Sequence, residues 1–223
     1  MMPYDRWIRS AFACLGVLLL ITGCTASKPT ADLERLLGAA AWDATALPPP
    51  PALSAPILEQ AIHAEVNRVR SDHGQGSLRW LPPLQTVSVE HSRHMAEAPF
   101  FGHTNPQGED PSDRAARHGV VPVERIGRYA LEGVGENLYL THRYHEVRTF
   151  ASGKHEADWK TLEHLATETV AAWMQSATHR ANLLSPHYRG QGIGVVVGDN
   201  HTVYVTQNLS PCDVAMVAQA ETE

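Results

Sequence analysis

Cysteine is scarce: three residues in 223, Cys14, Cys24 and Cys212. That is too few for a disulfide scaffold, and two of the three sit in the N-terminal segment. A basic surplus is also missing. With 18 Lys+Arg against 24 Asp+Glu and a formal net charge of −6, no cationic stripe can neutralise a phosphate backbone, which argues against nucleic-acid binding as a main role. No internal repeat is visible. The one long apolar run, Ala11 to Ile21, is too short for an ordinary membrane-spanning helix. What remains is a 43% hydrophobic chain, the profile of one soluble domain with short appendages.

Arg6 and Arg9 precede that run, which has the layout of a secretory signal. It ends in Ile21-Thr22-Gly23-Cys24, which resembles the bacterial lipobox and makes Cys24 the expected lipidation site. The other reading is an ordinary cleaved signal with a chance cysteine. Removing residues 1–23 leaves an acidic chain that will not adhere to anionic lipid by charge, so membrane contact is expected through acylated Cys24. Thr25 in place of Asp would favour the outer membrane in a two-membrane bacterium. Residues 24–56 end in a proline-rich stretch read as a semi-rigid tether. A domain is expected over 57–211 and a tail over 212–223.

Leu58, Ile62, Val66 and Val69 recur every three or four residues, predicting a helix that stops near Gly74. A second follows Pro82-Pro83 with Leu84, Val87, His91 and Met95 on one stripe. Asp110-Pro111 caps a short third helix, and Thr161 to Ala177 predicts a long one. Ile193–Val197 and Thr202–Thr206 predict a hairpin of β-branched strands. Helices first and strands last argue for an α+β fold with a mostly antiparallel sheet.

Common catalytic signatures are absent. His145-Glu146 and His155-Glu156 lack the second histidine of a zinc-protease helix, and no Gly-x-Ser-x-Gly elbow occurs. Gly190-Gln-Gly192-Ile-Gly194 opens a strand, so it offers no helix dipole to a phosphate.

Several local patterns occur in order: Asn67-x-x-Arg70, Leu78-x-Trp80, His91-Ser92-x-x-Met95, Phe101-Gly-His103, Gly133-Val-Gly-Glu136-Asn137-Leu138, Trp173-x-x-Ser176-x-x-His179-Arg180-x-Asn182, and Gly192-Ile-Gly194. Together they resemble the CAP superfamily of cysteine-rich secretory proteins, antigen 5 and pathogenesis-related protein 1, in its bacterial branch. The resemblance implies a three-layer α-β-α sandwich. It also implies a cleft in which His103, His179 and Glu136 hold a divalent metal such as zinc, bordered by Asn137, Ser176 and Arg180. Eukaryotic members carry a second glutamate where Ser176 stands, so any ion is expected to bind weakly. Glu168, the nearest substitute, lies about 140° from the centre of the apolar arc and is expected to face solvent.

Glu136, Asn137, Arg180 and Asn182 have a second reading as a buried polar brace. His91 reads as a core histidine. Residues 139–160, with His142, His145 and His155, read as a solvated loop inserted before the long helix. For function, the resemblance implies a lipid-anchored extracytoplasmic protein that binds a lipid or cell-wall ligand in the cleft. The alternatives are a hydrolase using a metal or the Ser176/His179 pair, and a structural lipoprotein with a vestigial cleft.

Overall fold

The computed structural model describes residues 47–126 and 129–211, with 123–126 and 129–132 as backbone only. The expected signal segment, most of the tether and the tail lie outside the described residues.

Helix α1 (Ala55–Asp72) starts with a proline in its first turn, where the missing N–H costs nothing. Leu58, Ile62 and Val66 on one stripe are fully buried. Strand β1 (Arg79–Trp80), helix α2 (Pro82–Glu97) and helix α3 (Pro111–Arg117) follow. The third opens with a capping box in which Asp110 accepts from the Asp113 backbone and Asp113 accepts from that of Asp110. Strands β2 (Val123–Ile126) and β3 (Tyr129–Glu132) form a small antiparallel pair.

The central sheet has the order β1-β7-β8-β4, with β4 over Gly135–His142, β7 over Gly190–Val197 and β8 over Thr202–Ser210. Its β7-β8 and β8-β4 pairs are antiparallel, and only the short β1 runs parallel to its neighbour. The sheet is therefore mixed and mostly antiparallel. The expected hairpin is its centre, with Val197 opposite Val203.

Period-2 alternation along β7 separates the layers. Ile193 and Val195 join the main core with α1 and with α4 (Leu162–Gln175), including Leu165, Val170 and Trp173. Gly192 and Gly194 face α2 so closely that a Cβ at either would lie 2.1 Å from a backbone nitrogen, that of Gln85 or Val89. These glycines let a helix backbone rest on a strand, and Ser88 and Ser92 donate to the Gly192 and Gly194 carbonyls at 3.0 and 2.9 Å. The result is a three-layer sandwich: α2, the sheet, then α1 with α4.

Two local expectations differ from the structure. The 139–160 segment is not a loop: Tyr139–His142 completes β4, and β5 (Tyr144–Thr149) pairs with β6 (His155–Trp159) in an antiparallel hairpin. Its charged residues hid the strand pattern. The long helix stops at Gln175, because Ser176 adopts an extended conformation and becomes the N-cap of a separate helix, α5 (Ala177–Leu183). Next to the first helix, Pro51 of the tether accepts a 2.7 Å bond from Arg143 Nη2, and Leu53 packs on the main core.

Candidate functional site

Glu136 lies on β4 next to the edge of the layer formed by α2 and α3, and its side chain is 1% exposed. A buried carboxylate must be compensated, and here both oxygens are committed. Oε1 accepts from His103 Nδ1 at 2.9 Å, while Oε2 accepts from Arg114 Nη2 at 2.7 Å. Arg114 is itself 2% exposed and also donates to the carbonyls of His103 and Glu109. It therefore fixes both the carboxylate and the loop that carries the histidine. That loop is tied again at Gly102, whose carbonyl accepts from His91 Nε2 at 3.0 Å. Burial pushes the His91 imidazole down to about 4, and its Nδ1 has no hydrogen-bond partner among the described residues.

Local backbone explains the position of Glu136. Gly133 has φ +94°, a conformation open to glycine at little cost, and the Val134 N–H donates to Ser112 Oγ. The start of β4 is thereby pinned to the first turn of α3, the helix that carries Arg114.

His179 approaches from α5. Its ring lies 6.4 Å from that of His103, centroid to centroid. Burial, with a further contribution from His103, lowers its pKa. Its backbone is held by Asn137, which donates to the His179 carbonyl at 3.2 Å. Asn182 completes the brace by donating to the Glu136 carbonyl and to Asn137 Oδ1. Behind them a one-way series of amides crosses the sheet: Asn137 donates to Gln207, Gln207 to Gln191, and Gln191 Nε2 to His63 Nδ1.

Of the residues expected at the site, His103, Glu136, Asn137 and His179 come together, whereas Ser176 and Arg180 make their bonds elsewhere. Ser176 Oγ meets Thr178 Oγ1 at 3.2 Å, and Arg180 donates to the Met174 carbonyl. Glu168 is not turned to solvent. It accepts from Tyr139, Thr141 and Lys160, because the inserted hairpin brings Lys160 over that face of α4. Burial would raise its carboxyl, but these bonds outweigh it and hold the group below the ordinary value.

The residues do not fit a three-donor metal centre. An ion ligated by Glu136 would share the carboxylate with His103 Nδ1 and with the positive guanidinium of Arg114, which lies 2.7 Å from Oε2. Among the described residues no group of three or more His, Cys, Asp or Glu side chains is placed to hold a metal. The arrangement is instead a layered one. A fully bonded interior of Arg114, Glu136, Asn137 and Asn182 orients two imidazoles on the outer side. The His103 side chain is 51% exposed; its Nε2, and both nitrogens of His179, hydrogen-bond nothing among the described residues. A cavity of about 200 Å³, lined by His91, Arg93, His94, Glu97 and Arg114 among others, opens between α2 and α3.

Arg114 is the participant that sequence reading missed. It sits in an unremarkable helix, and only the capping box at Asp110 marks the turn that aims it inward.

Comparison with known proteins agrees with the fold. The profile of the cysteine-rich secretory protein family, CAP, matches residues 63–209. Among solved structures, the chain is similar to an extracellular protein containing a SCP domain from Bacillus anthracis, at 23% identity and a TM-score of 0.51, covering 72% of this chain and 44% of that one. It is also similar to an outer surface protein from Borrelia burgdorferi, at 14% identity and a TM-score of 0.50, covering 71% of this chain and 96% of that one. This chain thus spans less than half the length of the Bacillus protein. Among curated proteins none matches.

Proposed function

Because the chain belongs to the cysteine-rich secretory protein (CAP) family, we propose that it is a lipid-anchored protein of the bacterial envelope whose domain binds a lipid or other envelope ligand at His103 and His179. One observation carries the reading: two imidazoles meet edge to face, with His103 Nε2 and both His179 nitrogens unbonded among the described residues, on a support whose polar contacts are made inward. Rigid second-layer support is what a recognition site needs, and an ordinary structural brace has no use for the exposed pair. The carboxylate of Glu136 accepts from His103 Nδ1, so Nε2 is the ring nitrogen that His103 turns outward. His179 is kept neutral by burial. Two neighbouring imidazoles with unused ring nitrogens suit a ligand with hydroxyl groups, such as the polar end of a lipid or a glycan.

Anchoring through Cys24 rests on the Ile21-Thr22-Gly23-Cys24 pattern. Among the described residues no helix is long and apolar enough to cross a membrane. The similar Bacillus and Borrelia proteins bear extracellular and outer-surface descriptions, in keeping with an envelope location. The test is Cys24→Ser in the native host. Unprocessed precursor is expected; processing and membrane association like those of the parent would overturn the anchor. The ligand is tested by native mass spectrometry of the protein from its own host, where an adduct lost in His103→Gln/His179→Gln is expected and one retained equally by that variant would overturn the reading.

A further inference from the structure

A pocket of about 270 Å³ opens where the C-terminal end of α1 meets the turn before β7, lined by Arg70, Gln75, Ser77, Pro186, Tyr188 and Arg189 among others. It is separate from the His103 face in both residues and elements. Its lining contains two guanidiniums and no carboxylate.

Arg70 is 1% exposed. Its Nε donates to the Gly76 carbonyl at 2.7 Å, and its Nη1 donates to those of Leu183 and Ser185 at 2.7 and 3.0 Å. Its Nη2 donates to nothing among the described residues. Arg189, on the exposed side, reaches only the backbone carbonyls of Pro186 and Tyr188. Neither has a carboxylate partner among the described residues. This is unusual, since a buried arginine is normally paired with an anion. Burial, and after it the like charge of Arg189, lowers the pKa of Arg70. Carbonyl dipoles explain why Arg70 is tolerated, but they do not explain a second guanidinium against it.

We propose that this pocket is a binding site for an oxyanion, a carboxylate or phosphate group, clamped between Arg70 and Arg189. Arg70 can donate from Nη2, its one uncommitted nitrogen, and Arg189, whose carbonyl bonds use only Nη1, can offer Nε and Nη2 as a pair, the geometry that matches a carboxylate or phosphate. The Ser77 hydroxyl, which bonds nothing among the described residues, supplies a further donor at the rim. Pro186 and the Tyr188 ring offer an apolar wall to the rest of the ligand. An anion seated there converts a repulsive pair into a compensated one, so binding must stabilise the fold, and the empty pocket must carry a cost that removal of Arg189 relieves.

The test is thermal unfolding of the full-length protein in phosphate, acetate or chloride at equal ionic strength, with Arg189→Gln and Arg189→Lys. The wild type is expected to gain about 3–6 °C in Tm, relative to chloride, at an anion concentration near ten times Kd. Arg189→Gln should lose that gain while its Tm in chloride equals or exceeds that of the wild type; Arg189→Lys should keep part of the gain. A response to phosphate alone identifies a phosphate ligand, and a response to acetate alone identifies a carboxylate. Three outcomes overturn the proposal: no anion-specific gain in the wild type, a full gain in Arg189→Gln, or a lower Tm in chloride for Arg189→Gln, which would make Arg189 a structural residue.

Discussion

Arg114 and Glu136 form an ion pair at 2.7 Å with side chains 2% and 1% exposed, joining α3 to β4, an edge strand of the central sheet. The two charges depend on each other, because neither reaches solvent. Removing one partner of a buried pair leaves the other uncompensated, at a cost of about 3–5 kcal/mol. Arg114→Met is therefore expected to lose that much in urea unfolding. Glu136→Gln keeps the shape and leaves a neutral acceptor, and is expected to lose about 1–3 kcal/mol. A negligible loss for Arg114→Met would contradict the pairing.

Backbone contact between α2 and β7 sets a second expectation. At Gly192 and Gly194 even an alanine methyl would lie about 2 Å from helix backbone atoms, which no side-chain adjustment can relieve. Overpacking of a rigid contact costs about 1–3 kcal/mol and occasionally more, and the upper end is expected here for Gly194→Ala. The measurement is the urea midpoint, with Gly76→Ala as the control because nothing lies within 4 Å of its Cβ position.

His91 makes stability depend on pH. Burial pushes it down to about 4 from an ordinary 6.5, so the folded protein resists a proton that the unfolded chain accepts. Its contribution is complete above about pH 6.5, falls as the pH drops toward 4, and levels off below that. The loss amounts to about 3 kcal/mol at 1.36 kcal/mol per unit. Urea unfolding at pH 7 and pH 4.5 should show a smaller drop for His91→Gln than for the wild type. Equal drops would place the acid sensitivity elsewhere.

Lys160 fastens the inserted hairpin. Its side chain is 7% exposed and reaches Glu168 on α4 at 2.7 Å. Lys160→Met should leave Glu168 uncompensated and loosen β5 and β6, read as faster limited proteolysis near Ser152. Adding Glu168→Gln should recover part of the protection, and no recovery would mean the ion pair is not what holds the hairpin.

The sequence showed the two outer imidazoles and part of their support. His103, Glu136, Asn137 and His179 sit in short distinctive motifs, and the resemblance of those motifs to the CAP family is what revealed them. Arg114 is defined by what α3 packs against, a long-range relation that periodicity does not encode. Glu168 shows the opposite failure. A helical wheel placed it toward solvent because the wheel does not contain the hairpin that covers it. Likewise, the break at Ser176 interrupts a stretch of good helix formers, and it is the packing of α5 against β4, through Asn182, that accompanies the change of direction. The apolar stripes and the order of helices and strands showed an α+β fold with a mostly antiparallel sheet, whereas the three-layer order came from the family resemblance, because which helix lies on which face is a long-range relation. In the structure the alternation of glycine with branched residues along β7 separates the two faces.

If His103 and His179 hold a ligand, as proposed, native mass spectrometry of the mildly solubilised protein from its own host should reveal it. The comparison is wild type against His103→Gln/His179→Gln, with urea unfolding confirming that both are folded. A bound adduct on the wild type, lost or much reduced in the double variant with a urea midpoint within about 0.5 kcal/mol, is the predicted result. A wild type with no adduct, or one retained equally by the variant, would contradict it.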